Sequence, residues 1–273
     1  MELLYSVIIL TKNEGSIIDK CLDSIPKSVE CFVLDSGSTD NTKEIVISRG
    51  AHYQQHVLNP FIISEQRNWA LKNLPIKTEW VLFLDADEYI PQELHEEILS
   101  KISTQEYNAY RLTPKFIFWG KWMKRLQGYP NWHDRLLRKD EVSIEGGVWE
   151  KFDEKANVGY INIPYDHYAN IKGFESWLEK HNRYSSWDAQ KTFDYICLKD
   201  NNIGTQRKVK LRKIAAKFWW LRPWARCFYM YFIRLGFLEG WRAFYLVMHY
   251  FFYEYMIVFK IIEKKRLAKG LSL

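Results

Sequence analysis

Cysteine is sparse in this chain and without pattern. Cys21, Cys31, Cys197 and Cys227 show neither the close pairs of a zinc site nor the spacing of a disulfide framework. That excludes a cysteine-stapled secreted scaffold and points to a reducing compartment. A secretory signal is missing too: no basic stretch, apolar run and small-residue cleavage site open the chain. The run Leu3–Leu10 instead passes straight into Thr11-Lys12-Asn13-Glu14, which reads as a first strand, so a cytoplasmic start is expected. There is no internal repeat and no low-complexity linker. Glycine is scarce where a nucleotidyltransferase needs it, since Thr11–Gly15 holds a single one. Nor does any apolar run reach the roughly 20 residues a spanning helix wants. The longest nearly uncharged stretch, Ala243–Phe259, has 17 residues and is broken by Glu254.

What is present is uneven. The 273 residues suffice for one large domain or one domain plus an appendage. From Thr205 to the end, 15 Lys/Arg face 3 Asp/Glu, a net +12, whereas Met1–Gly204 carries −6. An acidic body with a basic tail implies two jobs.

Along the body, apolar runs alternate with helical spacing. Tyr5–Leu10 reads as a buried strand, Ile17–Ile25 as a helix, Cys31–Leu34 as a strand and Thr42–Arg49 as a helix. His52–Val57 follows as a weaker strand, then a helix over Ser64–Leu74 with an imperfect capping box of Ser64 and Arg67. Trp80–Leu84 is the clearest strand. This order builds an open parallel sheet with right-handed crossovers, whose ligands sit at the carboxyl ends of the strands. Three of those ends carry polar clusters: Thr11–Glu14, Asp35–Asp40 and Asp85–Glu88. From Tyr107 to Tyr168 the pattern is mixed, as suits strands and loops over a cleft, and from Gly173 it turns helical.

Asp85-Ala86-Asp87 follows a buried strand directly, so period-two alternation aims both carboxylates one way. Two hard oxygen ligands there suit Mg²⁺ or Mn²⁺ carrying a diphosphate; a turn with solvated acids is the plainer reading. Asp35–Asp40 is either a turn and helix cap or places Asp35 against the N3–H of a pyrimidine base, with Thr11 and Glu14 beside the nucleoside.

Taken in order, Ser6–Glu14, Val33–Asp40, Gln66–Leu71 and Trp80–Glu88 resemble glycosyltransferase family 2, most closely its lipopolysaccharide-core β-glucosyltransferase branch. The similarity covers roughly the first 190 residues, and four ordered motifs are far more specific than one. The resemblance implies an α/β GT-A fold, a nucleoside-diphosphate sugar donor (usually UDP), a divalent metal and inversion at the anomeric carbon. By position, Thr11, Glu14 and Asp35 match nucleoside contacts, and Arg67 faces the diphosphate. Asp85 matches the ribose and metal-side acid, and Asp87 the direct metal ligand. His167 matches a histidine that completes the metal shell in relatives.

Inversion by direct displacement requires one general base, for which Asp134, Glu150, Asp153 and Glu154 are candidates. Gly128–Arg138 resembles the family's acceptor-side motif, with Asn131 where many relatives carry an acid. Asp134 is the first choice, its alternative being an ion pair with Arg135 or Arg138. Glu150 is the second, preceded by Trp149 where the family often has His. Trp119, Trp122, Trp132 and Trp149 are candidate sugar-stacking rings or plain core.

The expected division is a GT-A catalytic domain over 1–200 (nucleotide half about 1–105, acceptor half about 106–200) and a helical segment over 201–273. From Phe218 to Phe259, 18 of 42 residues are Phe, Trp or Tyr, interleaved with arginines. Amphipathic helices on a membrane surface fit that mixture better than a span. The expected location is therefore peripheral, on the inner face of the cytoplasmic membrane, with a lipid-linked or envelope-glycan acceptor. Nucleic acid is not an expected partner, given the acidic body, and the oligomeric state is left open. The competing readings are transfer to a polyprenyl phosphate and a catalytically silent sugar-nucleotide binder.

Overall fold

The computed structural model describes residues 5–146, 150–197 and 217–273. The chain forms two compact units, Met1–Ile117 with Tyr129–Ile171, and Phe118–Gly128 with Lys172–Leu273. Phe118–Gly128 is thus an excursion: the chain leaves the first unit and returns to it.

The first unit follows the order β1 (Tyr5–Thr11), α1 (Ile18–Asp23), β2 (Glu30–Asp35), α2 (Thr42–Ser48), β3 (His52–Gln55), α3 (Ile63–Asn73) and β4 (Trp80–Asp85). Next come β5 (Glu88–Tyr89), α4 (Gln92–Ser103), β6 (Ala109–Leu112) and β7 (Pro114–Phe118). The short strand β8 (Lys121–Trp122) lies in the excursion. After it the chain forms β9 (His133–Arg138), β10 (Ile144–Glu145), β11 (Lys151–Phe152), β12 (Val158–Tyr160) and β13 (Tyr165–Tyr168). The main sheet has the order β12-β6-β9-β4-β1-β2-β3. Its β4-β1-β2-β3 half is parallel, and β9 enters antiparallel between β4 and β6. This is the α/β architecture the alternation predicts, a mostly parallel sheet flanked by helices.

Period-two alternation puts apolar side chains on both faces of the central strands. Val7 and Ile9 join one buried cluster with Ile18, Val46, Leu94 and Ile98 from α1, α2 and α4. Ile8 and Leu10 join another, against Ala70 and Leu74 at α3. One reading at the start of α3 is corrected: Ser64 caps no backbone N–H and donates to the Gly146 carbonyl instead.

The second unit contains α5 (Gly173–Cys197), a 3₁₀ turn at Trp219–Leu221, α6 (Arg222–Phe228), a π-helical turn at Tyr229–Ile233, a 3₁₀ turn at Gly236–Glu239, and α7 (Trp241–Leu267). Ile257 and Ile261 of α7 are buried with Ala189 of α5. Glu239 is also buried and holds the excursion by accepting from the backbone N–H groups of Arg125 (2.7 Å) and Leu126 (3.1 Å). Glu254, which interrupts an apolar run in the sequence, turns inward and pairs with Arg222 (2.9 Å) and Arg226 (2.8 Å).

Candidate active site

The three polar strand ends come level. Thr11 is in register with Asp35, and Leu10 with Asp85, so the ends of β1, β2 and β4 form one edge. The loops leaving β1 and β2 are stitched together. Asn13 N–H donates to Ser38 Oγ (2.7 Å), Glu14 N–H to Thr42 Oγ1 (3.0 Å), and Gly15 N–H to Asp40 Oδ2 (3.0 Å), while Asn13 Oδ1 accepts from Thr39 N–H (2.7 Å). Burial would raise the Asp40 carboxyl, but the Thr42 hydroxyl and the N–H groups of Gly15 and Thr42 donate to it and hold it below its ordinary range. A Cβ on Gly15 would meet the Asn41 side-chain oxygen at 2.2 Å, so a larger residue there must push that side chain aside.

Asp35 is fully buried. Its carboxylate accepts from Gly37 N–H (3.1 Å), Ser38 N–H (2.7 Å), the Tyr53 hydroxyl (3.0 Å) and the Ser38 hydroxyl. That set fills the roughly four lone-pair positions of a carboxylate, so in this structure Asp35 shapes the turn after β2. Thr11 behaves differently: its hydroxyl is buried at the strand end with no hydrogen-bond partner.

At the end of β4, the acids form a layer over two buried guanidinium groups. Arg67 is 2% exposed and Arg135 7%, against 42% for Asp85. Arg135 Nη2 lies 3.2 Å from Asp85 and 2.6 Å from Glu88, whose other oxygen accepts the Asp85 backbone N–H at 2.9 Å. Arg67 lies 3.1 Å from Glu150 and 3.8 Å from Asp85. Burial pushes the Glu88 carboxyl up to about 7 against the pull of Arg135, and burial likewise raises Glu150 against Arg67. The expectation that Arg67 faces the diphosphate is corrected, because its guanidinium lies beneath the acids, over the ring of Phe83. Asp85, Asp87, Glu88 and Glu150 thus face Arg67, Arg135 and the His167 imidazole, four acids around three basic groups.

Strand β13 brings His167 to the acids. It pairs antiparallel with β5, placing His167 opposite Glu88, and His167 Nε2 lies 3.6 Å from Asp87 Oδ2. Burial alone would lower the imidazole, but Asp87 and then Glu88 and Asp85 hold it above its ordinary range. Among the described residues no three His, Cys, Asp or Glu side chains form a group that could hold a metal ion. One or two carboxylates suffice for Mg²⁺ or Mn²⁺ when diphosphate oxygens and water complete the shell, so Asp87 fits such an ion, and the softer His167 nitrogen beside it suits Mn²⁺ better than Mg²⁺.

The two base candidates separate. Asp134 Oδ1 accepts from Arg111 Nε (2.6 Å) and Oδ2 from the Phe152 N–H (2.6 Å), tying together β6, β9 and β11. Its ion-pair partner is therefore Arg111, neither Arg135 nor Arg138. Glu150 keeps one buried oxygen, Oε1, without a hydrogen-bond partner. Asp153 is taken up by Ser143 and the Lys155 N–H. Of the tryptophans, Trp132 meets Tyr160 edge-on and Trp119 belongs to the second unit, while Trp149 lies outside the described residues. The residue that sequence reasoning missed is Arg135, which is visible there only as a neighbour of Asp134.

These level strand ends with an acid pair at the fourth are matched by kinship. Residues 6–157 match the sequence model of Glycosyl transferase family 2, and the chain belongs to that family. It is a glycosyltransferase that draws its sugar from a nucleotide-sugar donor. The chain is similar to an uncharacterised glycosyltransferase of Rickettsia bellii, 28% identical over 273 residues, with 94% of this chain and 86% of that protein covered. A second relative, from Rickettsia felis, is 25% identical over 279 residues, covering 97% and 92%. Among solved structures, S. aureus TarS 1–349 aligns over 98% of this chain and 92% of that one, at 17% identity and a TM-score of 0.46.

Proposed function

We propose that the enzyme is an inverting, metal-dependent transferase that moves a sugar from a UDP-sugar to a hydroxyl of a lipid-linked or cell-envelope glycan of the lipopolysaccharide-core kind, at the inner face of the cytoplasmic membrane. The observation that carries this reading is the level edge of Thr11, Asp35 and Asp85, with Asp87 and His167 adjoining in a cluster rich in carboxylates. The nucleoside packs against Thr11, whose buried hydroxyl has no protein partner, with Glu14 beside it and Asp35 fixing the loop. Asp85 stands toward the ribose, and Asp87 and His167 would hold Mg²⁺ or Mn²⁺, which would supply positive charge against the leaving diphosphate.

A general base needs a lone pair free for the acceptor hydroxyl. Glu150 keeps one at Oε1, and burial raises its proton affinity. Asp134 has committed both oxygens. Glu150 therefore takes the proton in this proposal, and Asp134 holds the strands that frame it. The location rests on the basic, aromatic tail and on α7, which is long and apolar enough to cross a membrane by length and composition alone.

The test is UDP release from a panel of UDP-sugars with Mn²⁺ or Mg²⁺. Asp87→Ala is expected to lower release about 10³-fold or more. Glu150→Gln is expected to lower transfer by about 10²- to 10⁴-fold with UDP binding unchanged. Transfer that survives Glu150→Gln would point to an already anionic acceptor such as a polyprenyl phosphate. Binding without release from any donor would point to a silent sugar-nucleotide binder, and absence of UDP binding would sink the choice of nucleotide.

A further inference from the structure

The second unit turns an uncharged face outward. Along α7, Ala243, Leu246, Val247, Glu254, Ile257 and Ile261 are buried, whereas Trp241, Tyr245, Phe252, Tyr255, Phe259 and Ile262 are exposed. The exposed set recurs every three to four residues or two such steps, which is one stripe of a helix. At 1.5 Å per residue, Trp241 to Ile262 extends roughly 30 Å.

Charges within that stretch are drawn away from the stripe. Glu254 is buried against Arg222 and Arg226. Lys260 Nζ reaches inward to the Asn182 carbonyl (2.7 Å), Asn182 Oδ1 (2.6 Å), Ser185 Oγ (2.8 Å) and Ser186 Oγ (2.7 Å). Arg242 lies over the Trp241 ring at one end, and Lys264, Lys265 and Arg266 close the last turn at the other.

The excursion adds to this face through a strained turn. Trp119 and Gly120 both have left-handed backbones, φ 48° and 75°. A bulky residue in that region carries a cost that usually marks function. Trp119 is 48% exposed, and its ring centroid lies 5.7 Å from those of both Trp241 and Tyr245.

From these observations we infer that the Trp119–Gly120 turn and the outward stripe of α7 form one contact surface for an anionic lipid bilayer, with α7 lying in the plane of the interface. The inference rests on the membrane-surface reading proposed above and specifies its contact. Trp and Tyr rings are at home at headgroup depth, and the flanking cations complement anionic headgroups. A spanning orientation is disfavoured by the inward face, because the Glu254–Arg222–Arg226 cluster and the Lys260 site would then sit at hydrocarbon depth.

The test is flotation of the full chain with phosphatidylglycerol-containing vesicles and with phosphatidylcholine alone. Trp119→Gly relieves the backbone while removing the ring, so thermal stability should hold while affinity for the anionic vesicles falls about tenfold, the worth of one apolar side chain. Phe252→Ser with Phe259→Ser should lower it further while keeping basal UDP release. If wild type floats with neither vesicle, the membrane reading itself fails and this surface with it. If wild type floats and the variants float equally well, the surface is wrong while the membrane reading stands. A lipid-free dimer that these substitutions dissociate would also overturn the inference, by assigning the face to a second copy.

Discussion

The strand-end cluster and the outward face of the second unit invert the usual partition in opposite directions. In the first, Arg67, Arg135 and Glu88 are buried charges; in the second, a row of large aromatic rings meets solvent. Soluble folds normally bury rings and expose charges. Buried ion pairs are weak evidence of stability, and exposed apolar patches usually mark contacts. Neither arrangement is what packing alone would select. The difference lies in what each region is built for: fixed geometry around a small polar ligand, and adaptable contact with a broad apolar surface.

Substitutions can sharpen that contrast. Arg135→Met leaves Glu88 buried without its cation and is expected to cost about 3–5 kcal/mol, measured by denaturant unfolding. Adding Glu88→Gln should recover part of the loss. The single change should also weaken Mn²⁺–UDP binding, because Asp85 loses its hold. Glu254→Gln leaves Arg222 and Arg226 undercompensated at a smaller cost, since both guanidinium groups reach solvent, and should leave that binding unchanged. Equal effects of the two on Mn²⁺–UDP affinity would erase the distinction between the regions.

A smaller effect comes from His133. Burial, then Arg135 and His167, push its imidazole down to about 3, while the unfolded chain binds its proton near 6.5. Stability from this group is complete above about 6.5 and is lost as pH falls toward 3, because only the unfolded state takes up the proton. His133→Asn should flatten the fall of the melting temperature across that window. The smallest effect is expected at Gly15. Gly15→Ala pushes Asn41 aside and should cost about 1 kcal/mol of thermal stability, loosening the two stitched loops.

Much of the sheet was legible because its information is local. An apolar β-branched run followed by a polar cluster reads the same in sequence and in space, so Thr11, Asp35 and Asp85 could be placed at strand ends beforehand. Arg135 could not. Its position under Asp85 depends on β9 entering antiparallel beside β4, a pairing of segments about fifty residues apart, which no local pattern encodes. Asp134 looked available for the same reason, since its partners Arg111 and Phe152 come from other strands. Glu254 reads in sequence as an interruption of an apolar helix, and only its direction shows that it keeps the outward stripe uncharged.

The excursion Phe118–Gly128 also sets a timetable. Leu126 and the Glu239 carboxylate that receives its amide are 113 residues apart. At ribosomal speeds of 5–20 residues per second, Leu126 is made roughly 6 to 23 s before that carboxylate exists. For that interval the nascent chain holds a first unit whose strands can pair while the loop between them waits for its carboxylate. A stop codon anywhere before Glu239 makes the wait permanent, so only a tail trimmed beyond that residue keeps the loop's acceptor.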